Sequence, residues 1–528
     1  MTRQSFLLRR AASCALPLLA ACSSGASDES ASPDPPPVPL AAFESPALSA
    51  AAIETHVSVL AHDSMQGRGT GAGGGERAAR YLEAAFRRAG LRPPGTTGSY
   101  RQDVPLLATR VDTSSIHATL STVGELDPGQ VTVFTARDGG VVSVDGPMVL
   151  AGHGVVAPEL GLDDFAGLAI DGAFVAVRPG LPPEAVASIP GGTNSYIASD
   201  AAKAAEARRR GALGIVFLTT SAESYSGGRR FVAGFDHLSP RWGAAHEPDV
   251  SIVLGPDASR VVAESESATL SLSFAQTARA IDAPNIVGVV EGEGDEAVVV
   301  TAHYDAYGLG PPDAEGDSIY NGATDNAAGT AGIVELARWL AAREERPTRT
   351  VVFVATTAEE RGLLGMRYYT EHPLVPLSRT VVNVNVDGLG FSAPTDGFTV
   401  FPVSGTDIVP TLEGIAGLSG MSFAPQEWHE GMHFSFDTTE FLARGIVGFT
   451  VWQDGPVREP YREQPRGSGG PIHTPDDEFH LDWIDDGIEQ HLTLYRDILA
   501  HYADGGTPPR FTADHRFGPA ARARGAGR

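Results

Sequence analysis

Cysteine is almost missing from this chain. Its 528 residues include only Cys14 and Cys22, both at the extreme N-terminus. That excludes a disulfide framework for everything downstream. It also excludes thiolate metal sites there, so a metal would have to be held by His, Asp and Glu. Lysine is rarer still: Lys203 stands alone, which leaves little room for lysine-based chemistry. Basic charge is short as well. Lys and Arg number 39 against 65 Asp and Glu, for a net charge of −26. A phosphate backbone needs a basic face, so no nucleic-acid partner is expected. The apolar run from Ala11 to Ala21 falls short of the ~20 residues a membrane-spanning helix needs.

What is present at the N-terminus reads as an address. Arg3, Arg9 and Arg10 precede the apolar run, the pattern of a signal peptide over residues 1–21. The run ends Leu19-Ala20-Ala21-Cys22, which resembles the lipobox of bacterial lipoproteins. That resemblance implies lipidation of Cys22, a membrane contact through the lipid, and a periplasm-facing place in the cell envelope. Residues 22–46, rich in Ser, Ala and Pro, read as an extended tether. Residues 505–528, rich in Gly, Pro and Arg, read as a disordered tail.

The remainder is ordinary in composition, 42% hydrophobic and 20% charged, and long enough for two folded bodies. Ile53 to Leu91 shows helical spacing. From Asp145 the texture changes to short strands and turns around one helix, Ala201 to Gly211, and one strand, Leu213 to Leu218. From Pro284 strands alternate with helices: Ala297 to Ala302, Gly329 to Ala342, Val351 to Thr356, Leu363 to His372, Val381 to Val386. That alternation predicts an α/β fold, a mostly parallel twisted sheet flanked by helices, interrupted by a small β-rich insert. The expected boundaries are 47–144 and 281–504 for the α/β body and 145–280 for the insert.

The chemistry-bearing residues sit at strand ends. His303 follows the first of those strands, the pair Glu359–Glu360 follows the second, and Asp387 follows the third. Open α/β sheets bind ligands beyond the carboxyl ends of their strands. Each residue alone reads as a turn or cap; three strands delivering such residues to one edge point to a site. Two adjacent carboxylates beyond a buried strand need a cation. The loop Asn321 to Gly329 enters a helix, with Asp325 or Asn326 as its cap on one reading. On the other, Asp325 offers one oxygen to each of two metals. His473 follows downstream, with Asp477 four residues on.

His303-Tyr304-Asp305, Asn321 to Gly329, Ala358 to Gly362, Asn385-Val386-Asp387 and His473-Thr474 together resemble, in order, the five blocks of the di-zinc exopeptidase family that includes bacterial aminopeptidases and glutamate carboxypeptidase. The resemblance implies two Zn²⁺ per chain and a peptide substrate. His303, Asp325 and Asp387 would hold one ion; Asp325, Glu360 and His473 would hold the other. Glu359 would be the general base. Asp305 would accept from the ring of His303; Asp477 would do the same for His473, or stand as an exposed turn acid. The blocks Val149 to Pro158, Asp163-Asp164-Phe165 and Gly172 to Val177 resemble the protease-associated domain inserted in many such peptidases.

One competing motif and one departure remain. His429-Glu430-Gly431-Met432-His433 matches the zincin pattern His-Glu-x-x-His, but Gly431 and the residues that follow do not continue a helix. The stretch from Asp437 to Ile446 resembles a family block whose usual Ser and His are here Phe436 and Thr438. His433 stands where some relatives place a Tyr, and is the candidate oxyanion donor. An aminopeptidase is the expected activity. The alternatives are a carboxypeptidase, a glutaminyl-cyclase-like enzyme, or a binding protein on the same fold. Arg444, Arg458 and Arg462 are candidates for recognising a carboxylate. The sequence leaves the oligomeric state open.

Overall fold

The computed structural model describes residues 47–526 except 96–97, 190–194, 223–224, 226–233, 243–249, 266–267, 391, 403–404, 425–434, 459–470, 481–484 and 513–516. Cys22, His429, His433 and Arg462 lie outside the described residues.

The strands legible in sequence form the centre of the α/β body. Ala297–His303, Thr350–Thr356 and Thr380–Asn385 run parallel and adjacent, with Gly448–Val457 parallel beyond them. Every residue of the first three is buried, as expected where helices cover both sheet faces. Ala328–Ala341, Asp485–Ala503, Ala50–Leu60 and Gly73–Arg88 supply helices whose apolar sides join the largest core cluster, with Phe86, Phe353, Leu492 and Tyr495 fully buried in it. Thr395–Phe401 pairs antiparallel with Gly448–Val457, so the sheet is mixed at that edge. Among the described residues no helix is long and apolar enough to cross a membrane.

Register places the site. His303 pairs with Thr356, and Thr301 pairs with Asn385. The chain leaves all three strands at one level, two or three residues before Asp387 and Glu359.

The second body joins through one long strand. Ala268–Val290 runs 23 residues. Its last residues pair with Thr350–Thr356, its middle with Arg101–Val111, and its first residues with Gly140–Leu150 and His117–Leu120. Phe174–Val177, Gly214–Leu218, Val250–Leu254 and Val131–Thr135 continue the same sheet outward. The helix Asp200–Arg209 and the strand that follows it stand where the sequence puts them.

Two boundaries differ from expectation. The β-rich body does not begin at 145: Ile116, Leu120, Val131 and Val133 already belong to its core, because their strands find partners more than a hundred residues away. The tail is not disordered throughout. Gly518–Ala526 is helical, and Arg524 donates from Nη2 to the carbonyls of Leu377 and Thr380. The Arg510 amide donates to Asp407 Oδ1 at 2.7 Å. Composition carried no trace of these non-local carbonyl and carboxylate partners.

Candidate metal centre

All five expected ligands meet at the carboxyl ends of the central strands. Asp325 lies between two histidines: its Oδ1 is 3.1 Å from His303 Nε2 and its Oδ2 is 3.0 Å from His473 Nε2. Asp387 Oδ1 is 3.7 Å from His303 Nε2, and Glu360 Oε2 is 3.4 Å from His473 Nε2. The residues form two groups that could each hold a metal ion, His303–Asp325–Asp387 and Asp325–Glu360–His473. Glu359 belongs to neither; its Oε2 is 3.9 Å from His303 Nε2.

Local chemistry explains how Asp325 is freed for this. Asn326, not Asp325, caps the following helix: its Oδ1 accepts from the Gly329 amide at 3.0 Å, and its Nδ2 donates to the Val386 carbonyl at 2.9 Å. Gly322 has φ +55°, and a Cβ there would meet the Asp325 carbonyl oxygen at 2.3 Å. The acid pair sits on a tight turn. Ala358 adopts φ +55°, and the Glu359 carbonyl accepts from the amides of Gly362 and Leu363 at 2.9 Å. A buried alanine in the left-handed region is strained, and such strain clusters at functional sites.

The two outer carboxylates act differently from expectation. His303 Nδ1 hydrogen-bonds the backbone carbonyl of Asp305 at 3.1 Å, whereas the Asp305 carboxylate is 3.9 Å away. That carboxylate accepts from the Glu359 amide at 3.1 Å and the Thr70 hydroxyl at 3.1 Å. Asp305 thus orients the histidine through its main chain and the acid turn through its side chain. Asp477 is fully buried and is not an exposed turn acid. It does not reach His473 either; it accepts from the amides of Thr324 and Asp325 at 3.0 and 3.1 Å and from the Thr324 hydroxyl. Those bonds fix the loop that presents Asp325.

The electrostatics call for a cation. Burial pushes the Glu359 carboxyl well above the usual carboxylate range, Glu360 to about 8 and Asp437 to about 7. Burial, opposed by His303, also raises Asp387. Burial would raise Asp325 too, but hydrogen bonds from His303 and His473 win and pull it down. The nearby guanidiniums are spent elsewhere. Arg68, lowered to about 10 by burial, donates to the carbonyls of Leu60, Tyr304, Asn321 and Gly322. Arg361 donates to the Tyr307 carbonyl. So crowded a set of buried carboxyls, with imidazoles interleaved, has the donor chemistry of a zinc site.

The site opens into a cavity of about 800 Å³ whose walls include Leu363, Ala393, Phe436, Trp452, Val457 and Ile472. Among the described residues that line it there is no Lys or Arg. Arg444 pairs with Glu440 and Glu371, and Arg458 with Asp396. Sequence reasoning missed three supports. Trp452 Nε1 donates to the Asp387 carbonyl at 3.0 Å; Asp437 accepts from Thr356 Oγ1 at 2.6 Å; Tyr307 packs its ring on His473. The signals available were the aromatic residues flanking the motif blocks and the family block that begins at Asp437.

Residues 285–494 match the model of peptidase family M28. Aminopeptidase YwaD of Bacillus subtilis is 36% identical over 112 residues, 20% of this chain and 22% of the relative. A probable zinc metalloprotease of Pyrenophora tritici-repentis is 33% identical over 121 residues, 22% of this chain and 27% of the relative. The chain thus matches only about a quarter of these relatives' lengths. Among solved structures, the aminopeptidase from Aneurinibacillus sp. strain AM-1 superposes with a TM-score of 0.53 at 18% identity. That alignment covers 87% of this chain and 95% of the other, and it shows the shared fold. The α/β fold class read from sequence is borne out, and over residues 285–494 the peptidase part of the resemblance is matched.

Proposed function

We propose that this chain, whose residues 285–494 match the model of peptidase family M28, is a two-zinc exopeptidase that removes N-terminal residues from peptides. One observation carries the two-metal reading: the Asp325 carboxylate turns one oxygen toward each of two ligand groups. His303 and Asp387 would complete one zinc site, Glu360 and His473 the other. When bound, such ions polarise a carbonyl and make water acidic enough to deprotonate near neutral pH.

The chain's own groups do the rest. Glu359 is beside both groups and in neither, so its carboxylate is the one free to take a proton from the attacking water and pass it to the leaving amine. Asp305 holds the Glu359 amide, and Trp452 holds the Asp387 carbonyl, so both acids meet substrate from fixed backbone. The cavity favours a free amine over a free carboxylate. Its acids can accept from an ammonium, and its described lining offers no Lys or Arg for a carboxylate. Leu363, Phe436, Trp452 and Val457 suit an apolar side chain on the terminal residue. The proposal includes attachment to the envelope through a lipid on Cys22 and a protease-associated character for the β-rich body.

A panel of aminoacyl-nitroanilides, N-blocked peptides and C-terminal substrates, each with and without chelator, tests the reading. Cleavage confined to free-amine substrates and abolished by chelator is expected. Cleavage of N-blocked peptides from the C-terminus would overturn it.

A further inference from the structure

The β-rich body reaches the metal centre from behind. Its segment Gly234–Trp242 runs along the turn that carries Glu359 and Glu360 and touches it at three points. Phe235 sits under the Arg361 guanidinium, 4.6 Å from the ring centroid, and Tyr307 meets the same guanidinium at 4.6 Å from its own ring. Leu238 shares an apolar cluster with Ala358 and Leu364, on either side of the acid pair. Trp242 packs edge-on against Tyr368 at 4.8 Å and donates to Glu371 at 2.8 Å, both on the helix that follows the turn.

The Phe235 contact is built, not incidental. Phe235, Tyr307 and Tyr320 form a buried aromatic cluster, with centroids 5.3 and 5.2 Å from Phe235 to the two tyrosines. Gly310 makes room for it: a Cβ there would stand 2.3 Å from the Phe235 ring and 2.6 Å from Tyr320. Tyr307 then faces the metal centre. Its ring lies edge-on to His473 at 5.1 Å, and burial together with the nearby Glu360 carboxylate pushes its phenol up. His473 and Glu360 are the two residues that distinguish the second ligand group from the first.

We propose that Phe235 of the β-rich body is a positioning residue for the second metal. It wedges Tyr307 and Arg361 so that Glu360 and His473 hold their ligand geometry. This rests on the two-metal reading above. The β-rich body is then part of the metal centre's scaffold, not a lid set over it. Groups that orient ligands from behind typically govern metal affinity by about 10–100-fold. The His473 side chain is 44% exposed, and among the described residues the Tyr307 ring packs against its imidazole.

Chelator competition on the full chain, read as two zinc dissociation constants, tests the wedge. Phe235→Leu keeps apolar volume and removes the ring; Tyr307→Phe keeps the ring and removes the hydroxyl. Each is expected to weaken one zinc by about tenfold or more while the other keeps its wild-type affinity. In a His473→Ala background, which lacks the second site, Phe235→Leu should change nothing further. Wild-type affinity for both ions in Phe235→Leu, or equal weakening of both, would overturn the proposal. A wild-type chain that binds fewer than two zinc ions would overturn the two-metal reading and the wedge with it. Unchanged near-ultraviolet circular dichroism in Phe235→Leu separates a local effect from unfolding.

Discussion

The two ligand groups share Asp325 and differ in almost everything else. His303 and Asp387 leave the ends of adjacent parallel strands, and the His303 side chain is 2% exposed. Sheet register sets the spacing of their backbones, and the Asp305 and Trp452 hydrogen bonds only trim it. His473 comes from a turn, at φ +63°, with its side chain 44% exposed, and Glu360 comes from the strained turn after Ala358. Nothing in the sheet fixes His473. The loop-built half depends on Asp477 for the Asp325 turn and on Tyr307 for the imidazole. A ligand that extends a strand inherits the rigidity of the sheet, whereas one on a loop needs dedicated neighbours.

The comparison can be broken most sharply at the residue between the halves. Glu359→Gln should lower kcat by about 10²–10⁴-fold while both zinc ions stay bound, because a free carboxylate and not a ligand has been lost. Peptidase assay beside elemental analysis reads both numbers, and loss of metal with the mutation would make Glu359 a ligand. A smaller effect is expected at Asp477→Ala. It leaves the amides of Thr324 and Asp325 without their acceptor, so metal affinity should fall by about 10–100-fold, seen by chelator competition. The smallest lies in the cavity wall at His491, which belongs to neither ligand group. Burial holds His491 down at about 4. In the unfolded chain it takes a proton near ~6.5, and in the folded chain only near 4. Stability is therefore complete above that upper value and falls as pH drops toward 4, by about 1.4 kcal/mol per pH unit for this one group. Urea melts of the metal-free protein between those limits should show that slope shrinking by this amount in His491→Phe.

How much was legible follows the same division. The strand-end ligands could be read because buried parallel strands announce themselves as runs such as Val298 to Ala302 and Val351 to Ala355, and ligands follow at once. Asp325 could be read because small residues surround it. The partners of Asp305 and Asp477 could not: the family resemblance implied histidine, yet the structure gives their carboxylates main-chain amides from Glu359, Thr324 and Asp325. The start of the β-rich body was hidden because Val131–Thr135 finds Val250–Leu254 across more than a hundred residues. Phe235 had no local signal, since its meaning lies in Gly310, Tyr307 and Arg361.

Staged removal of metal tests the central claim most directly. Zinc content followed during chelation should begin at two ions per chain and fall in two steps. The half-exposed His473 side should empty first, and that first step should be missing in His473→Ala. A single ion per chain, or one step unaffected by His473→Ala, would contradict the account.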